Sequence, residues 1–156
     1  RKMTEENFDG IILAAAGIER LGRANSISEK IPFDICLPAV GQGAIGIEIR
    51  ENDEEIQTLL RLINDEATFT AVRAERRLLG TLEGGCQIPI AAYGEISGDR
   101  LFLRGLVGSI NGETLIKEQI LGSVSEAEQL GEQLAQKLIE QGATEILSAI
   151  KKEMNQ

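Results

Sequence analysis

Two turn dipeptides constrain this chain most. Gly98-Asp99 separates "IAAYGEIS" (90–97) from "RLFLRGLVGSI" (100–110), and Asn111-Gly112 separates the latter from "ETLIKEQIL" (113–121). Asn-Gly between apolar runs is the strongest short hairpin signal, because both residues accept the positive φ that a tight hairpin turn requires. The spacing predicts a three-stranded antiparallel meander. Helical patterns bracket it. Asp65 can cap a helix with Phe69, Val72, Leu78 and Leu79 among its apolar positions. Ser125 with Glu128 reads as a capping box for a helix running to Gln141 and closed by Gly142, with Ala127, Leu130, Leu134, Leu138 and Ile139 as its buried stripe. A last helix from Thr144 to about Met154 buries Ile146, Leu147 and Ile150. Residues from about 65 onward therefore read as a small α+β domain.

The earlier residues read differently. "FDGIILAAAG" is apolar without alternation, as in a strand buried on both faces of a parallel sheet, and passes into a helix around Ile18 to Leu21. Between Ala44 and Arg50, Ile45, Ile47 and Ile49 alternate with Gly46, Glu48 and Arg50, the pattern of a half-buried strand. Asp53 to Ile63 then reads as a helix with Ile56, Leu59, Leu60 and Ile63 on one face. A parallel strand needs neighbours joined by crossovers, and too few precede residue 50. The expectation is that sheet partners lie in an N-terminal region or in another chain.

Composition narrows function. The 156 residues are 42% hydrophobic and 26% charged, ordinary for a globular protein. A net charge of -9 would repel a phosphate backbone or an anionic membrane surface, so neither is an expected partner. The apolar run Ile11 to Ile18 is far short of the roughly twenty residues a bilayer span needs, and no signal peptide pattern opens the chain. A cytoplasmic location is the expectation. With no histidine, Ser/His and Cys/His triads are excluded within the chain, and so are most zinc and haem ligand sets; no metal site is expected.

Chemistry must then come from carboxylates, arginines, backbone or thiols. "GQGAIG" (41–46) satisfies G-x-G-x-x-G, but Pro38 stands just before it and a strand pattern follows, where a dinucleotide site needs a helix. These glycines suit a close backbone approach to a ligand, a crossover between domains, or a plain turn. Arg73, Arg76 and Arg77 read as a solvated face or as local partners of Glu66 and Glu75. Arg20 follows the first strand pattern, where open α/β sheets hold ligands, and Arg50 ends the second; a guanidinium there suits a carboxylate ligand or an interdomain ion pair. Cys36, between Ile35 and Leu37, reads as a small buried hydrophobe. Cys86 follows Gly84-Gly85, a setting that admits a bulky group; it is either structural or an attachment point, since a thiol needs no dedicated base to trap a reactive carbon.

Three stretches, "DGIILAAAGIERLG", "LPAVGQGAIGIEIR" and "LEGGCQIPIAAYG", resemble the porphobilinogen deaminase (hydroxymethylbilane synthase) family in order and spacing, over essentially the whole chain. The resemblance implies roughly the C-terminal half of a transferase that joins four porphobilinogen units into hydroxymethylbilane with release of ammonia. It implies a dipyrromethane primer held by a thioether to Cys86, with Gly84 and Gly85 in the same loop. Loss of ammonia from porphobilinogen leaves an electrophilic methylene carbon that a thiol can trap without histidine. It implies further that Arg20 pairs with pyrrole carboxylates, that Gln42 and Gly43 line the cofactor cleft, and that Arg50 contributes to substrate binding. The essential aspartate and most carboxylate-binding arginines belong to the family's N-terminal half, so no catalytic residue is assigned in this chain, which is expected to be inactive without that half. The implied fold is α/β and α+β: the end of a doubly wound, binding-protein-like pair of domains followed by a small α+β domain. Residues 1–37 would belong to domain 2, 38–63 to the crossover and return segment of domain 1, and 64–156 to domain 3, within an enzyme expected to be monomeric. A noncatalytic solute-binding module is the alternative.

Overall fold

The structure, a computed structural model, describes residues 5–82 and 88–154. It divides into two compact units, 1–35 and 36–156.

In the first unit, α1 (Ala15–Arg20) is one short helix, and a single 3-10 turn follows at Ala24–Ser26. Residues 10–14, predicted as a buried strand, form none, and Ile12 and Leu13 are exposed. The physical reason lies in the strand itself: its N–H and C=O groups need a neighbouring strand, and the described residues supply none here.

The second unit holds the rest. The predicted strand at 44–50 is also absent for want of a partner, leaving Ile45 83% exposed. Helix α2 (Glu54–Arg61) starts where Asp53 caps it, its carboxylate accepting the Ile56 N–H. Helix α3 (Glu66–Thr81) is capped in the same way by Asp65, which accepts the Thr68 N–H at 2.7 Å. Strands β1 (Ile90–Ser97), β2 (Arg100–Gly108) and β3 (Leu115–Ser123) form an antiparallel sheet in the order β1-β2-β3. Ser97 pairs with Arg100 across a two-residue turn in which Gly98 has φ of 60°. The second connection is longer than the Asn-Gly signal implied. Gly108 pairs with Leu115, and the intervening turn is closed by Gly112 N–H to Ser109 and Ser109 N–H to Thr114.

Helices α4 (Ala127–Glu140) and α5 (Ala143–Met154) complete the unit. The predicted capping box does not form. A 3-10 turn at Val124–Glu126 precedes α4, its start held by Ser123 Oγ accepting the Ser125 N–H, and Glu128 turns instead toward Arg73. Alternation along the strands sends Ile90, Ala92, Leu101, Leu103, Val107 and Ile116 to one face, where they meet Ala74, Leu78 and Leu82 of the α3 side and Leu130, Leu134 and Leu138 of α4. Leu78, Leu101, Leu103, Leu134 and Leu138 are wholly buried, each worth about 2 kcal/mol of apolar burial. On the opposite face Arg104 lies over Phe102 and Tyr93, 5.1 Å and 5.7 Å from the ring centres. No helix of the described residues is long and apolar enough to cross a membrane.

Candidate functional site

The core of the second unit fixes both flanks of the glycine-cysteine segment. Leu82 follows α3, is 4% exposed, and donates its N–H to the Leu78 carbonyl; Ile90 opens β1 and is also buried in the core. Gly84, Gly85 and Cys86 themselves lie outside the described residues. Their chemistry is carried by the sequence: one thiol behind two glycines, between a helix and a strand that are both anchored.

Residues 38–44 dock along the outer edge of β1. Ala92 donates to the Pro38 carbonyl at 3.2 Å, and Ala39 forms an antiparallel bridge with Ala91. Two successive turns follow, Gln42 N–H to Ala39 and Ala44 N–H to Gly41, with Gly41 and Gly43 at φ of 70° and 87°. Only glycine enters that region without strain, which is the physical content of "GQG" here. The turns leave Gln42 and Gly43 exposed at their apex. No helix follows Gly46 until Glu54, so the dinucleotide arrangement is excluded.

Beneath these turns lies Glu75, a charged side chain of α3 that is only 5% exposed. Its Oε2 accepts the Gly41 N–H at 2.7 Å and its Oε1 accepts the Gly94 N–H at 2.9 Å. Burial pushes its carboxyl above the ordinary glutamate range, against the two N–H donors that pull it down. Sequence reading placed Glu75 as a surface partner for the arginines. The spacing of Ala71, Ala74, Leu78 and Leu82 puts residue 75 on the buried stripe of α3, and that was the available signal. All three arginines lie on the exposed face of α3, and two of them reach across to α4 rather than to Glu66 or Glu75: Arg73 pairs with Glu128 at 3.0 Å and Arg77 with Glu132 at 2.6 Å.

The remaining expected residues are placed as follows. Arg20 is the last residue of α1, exposed, in the first compact unit. Arg50 is exposed and its guanidinium grips Asp53 at 2.6 Å, so it braces the cap of α2. Cys36, expected to be buried, is an exposed free thiol, because the turn at Pro32–Ile35 carries it on irregular chain that no packed element covers. Among the described residues no group of three His, Cys, Asp or Glu side chains is arranged to hold a metal.

Comparison with known proteins assigns the class first. Residues 1–58 match the family model described as "Porphobilinogen deaminase, dipyromethane cofactor binding domain", and residues 69–140 match "Porphobilinogen deaminase, C-terminal domain". The chain thus joins the end of a cofactor-binding domain to a C-terminal α+β domain. Porphobilinogen deaminase of Carboxydothermus hydrogenoformans is 51% identical over 156 residues, all of this chain and 50% of the relative. That of Geobacter metallireducens is 53% identical over 150 residues, 96% of this chain and 47% of the relative, and that of Halalkalibacterium halodurans is 49% identical over 154 residues, 97% and 49%. The chain belongs to the porphobilinogen deaminase family. It spans about half the length of the curated relatives it matches.

Proposed function

We propose that this chain is the part of a hydroxymethylbilane-forming transferase that anchors the growing pyrrole chain, with Cys86 as the attachment point. One observation carries the reading: a solitary cysteine behind Gly84-Gly85, at the α3–β1 junction of a chain whose two halves match the family's cofactor-binding and C-terminal domains in order. The residues suit the group. A thioether resists hydrolysis, so a primer held by Cys86 survives repeated cycles of addition. Dipyrromethane, when bound, supplies the primer onto which porphobilinogen units are added.

The chain's own residues bind and orient. Arg20 offers a bidentate fork for pyrrole carboxylates. Gln42 and Gly43 offer side-chain and backbone hydrogen-bonding groups at the apex of the docked turn. Arg50, already holding Asp53, would contribute charge to substrate binding from the α2 end. Acid/base chemistry is assigned to an aspartate in the N-terminal half of the whole enzyme, so that half is the necessary partner and the 156-residue chain alone makes no product. In domain terms, 1–37 belongs to the second domain, 38–63 is the crossover and return to the first, and 64–156 is the third. The intact enzyme is monomeric and cytoplasmic in this reading.

Intact mass measurement of the whole enzyme tests this. The mass should exceed the sequence mass by two linked pyrroles, and Cys86→Ser should remove the excess together with the colour given by an aldehyde reagent. An unmodified Cys86 in active enzyme sinks the reading. Reversible ligand retention indifferent to Cys86→Ser would instead identify a noncatalytic solute-binding module.

A further inference from the structure

Glu75 stands where three segments converge. Its own helix, α3, ends at Thr81 with Leu82 as its C-cap, just before Cys86 in the sequence; Gly94, bound by Oε1, lies on β1, which begins just after Cys86; Gly41, bound by Oε2, opens the turn that presents Gln42 and Gly43. Both partners are N–H donors, so the site calls for two acceptor oxygens. A carboxylate has them, whereas the amide of glutamine would turn its NH2 group toward one of the donors. Burying the carboxylate costs desolvation that an apolar residue at this helical position would avoid, and what it receives in return comes from two other segments of chain. The hydrogen bonds at Ala39 and Pro38 run along β1, and Val40 packs against the core; the hydrogen bond to Glu75 is what ties the turn's backbone to α3.

We propose that Glu75 is a positioning residue, a latch that fixes the Ala39–Gly43 turn against α3 and β1 and so holds Gln42 and Gly43 in register with the helix and the strand that flank Cys86 in the sequence. The latch stands on geometry alone; its consequence for turnover rests on the proposed anchoring function. With the latch closed, the turn that presents Gln42 and Gly43 moves as one body with α3 and β1. With it open, the primer stays attached while the turn shifts against that helix and strand.

The test uses the whole enzyme and Glu75→Gln. Hydrogen exchange of the Gly41–Ala44 backbone should quicken roughly tenfold or more, the scale of one hydrogen bond to a charged group, while amides of β2 and α4 keep their protection. Intact mass should still show the primer. Turnover per primer-bearing molecule should fall about tenfold, chiefly in kcat. Unchanged exchange at Gly41–Ala44, or faster exchange there with unchanged turnover per loaded molecule, overturns the proposal. So does an equal rise throughout β2 and α4, which would make Glu75 a stability residue only. If Glu75→Gln does not fold, wild-type exchange decides: a Gly41 amide as slow as that of Gly94 supports the latch, and one exchanging at the free rate overturns it. Absence of the primer mass in wild type would refute the anchoring function while leaving the exchange result interpretable.

Discussion

Gly131 of α4 lies directly against the Ala74 carbonyl of α3. A Cβ at residue 131 would overlap that oxygen and come within 3.0 Å of Arg77 Cβ and 3.1 Å of the Leu78 nitrogen. The two helices therefore touch backbone to backbone, and this closeness seats both Leu78 and Leu134 in the sheet's core.

Gly131→Ala should accordingly destabilise the protein by about 1–3 kcal/mol, because the backbone oxygen cannot move without displacing α3. Gly80→Ala is the matched control: no described residue lies within 4 Å of its added methyl group, and a better helix former should stabilise by roughly 0.5 kcal/mol. Urea denaturation of the two variants checks both signs. Equal effects would refute the close-packing account.

The ion pairs across the same interface should matter far less. Arg77 and Glu132 side chains are about half exposed, at 51% and 55%, where water screens their attraction. A double-mutant cycle with Arg77→Ala and Glu132→Ala should give a coupling well below the Gly131→Ala effect, vanishing in about 1 M salt as the screening length shortens to about 3 Å. A coupling that survives salt would show the pair to be shielded from solvent.

Asp65 carries a pH signature. The Thr68 N–H holds its carboxyl below the ordinary value of 3.8. A carboxyl depressed in the folded state contributes stability above its unfolded pKa and loses it as pH falls through the lower, folded one. The melting temperature of Asp65→Ala should thus lie below wild type by a constant margin from pH 7 to about 5, and the margin should close below pH 3.8. A margin independent of pH across that range would assign the loss to something other than the charged cap.

These elements also show which parts were readable beforehand. Asp65, Gly98-Asp99 and the Leu130–Leu134–Leu138 stripe are local signals, each acting within a few residues, and they specify the α+β unit. Glu75 escaped because its partners, Gly41 and Gly94, are distant in sequence and are backbone groups without a compositional trace. The same holds for Gly131, whose meaning depends on Ala74. Ile12 and Ile45 carry strand patterns whose fulfilment needs neighbours that the described residues do not provide. For Cys86 the residues left two options, structural or an attachment point; the family resemblance favours the second, and the residue lies outside the described ones.

The division of labour proposed for the cleft gives a last prediction, made for the whole enzyme. Gln42 is exposed at the apex of its turn, so Gln42→Ala should change stability by no more than about 0.5 kcal/mol, retain the primer mass, and lower turnover. Arg20→Lys keeps the charge but loses the planar fork that matches a carboxylate. If Arg20 grips a pyrrole carboxylate, the variant should weaken substrate use by roughly 10-fold, the scale of one charge-assisted hydrogen bond, with its melting temperature unchanged. Steady-state kinetics beside thermal melts separate these cases. Wild-type kinetics in Arg20→Lys would remove Arg20 from the site.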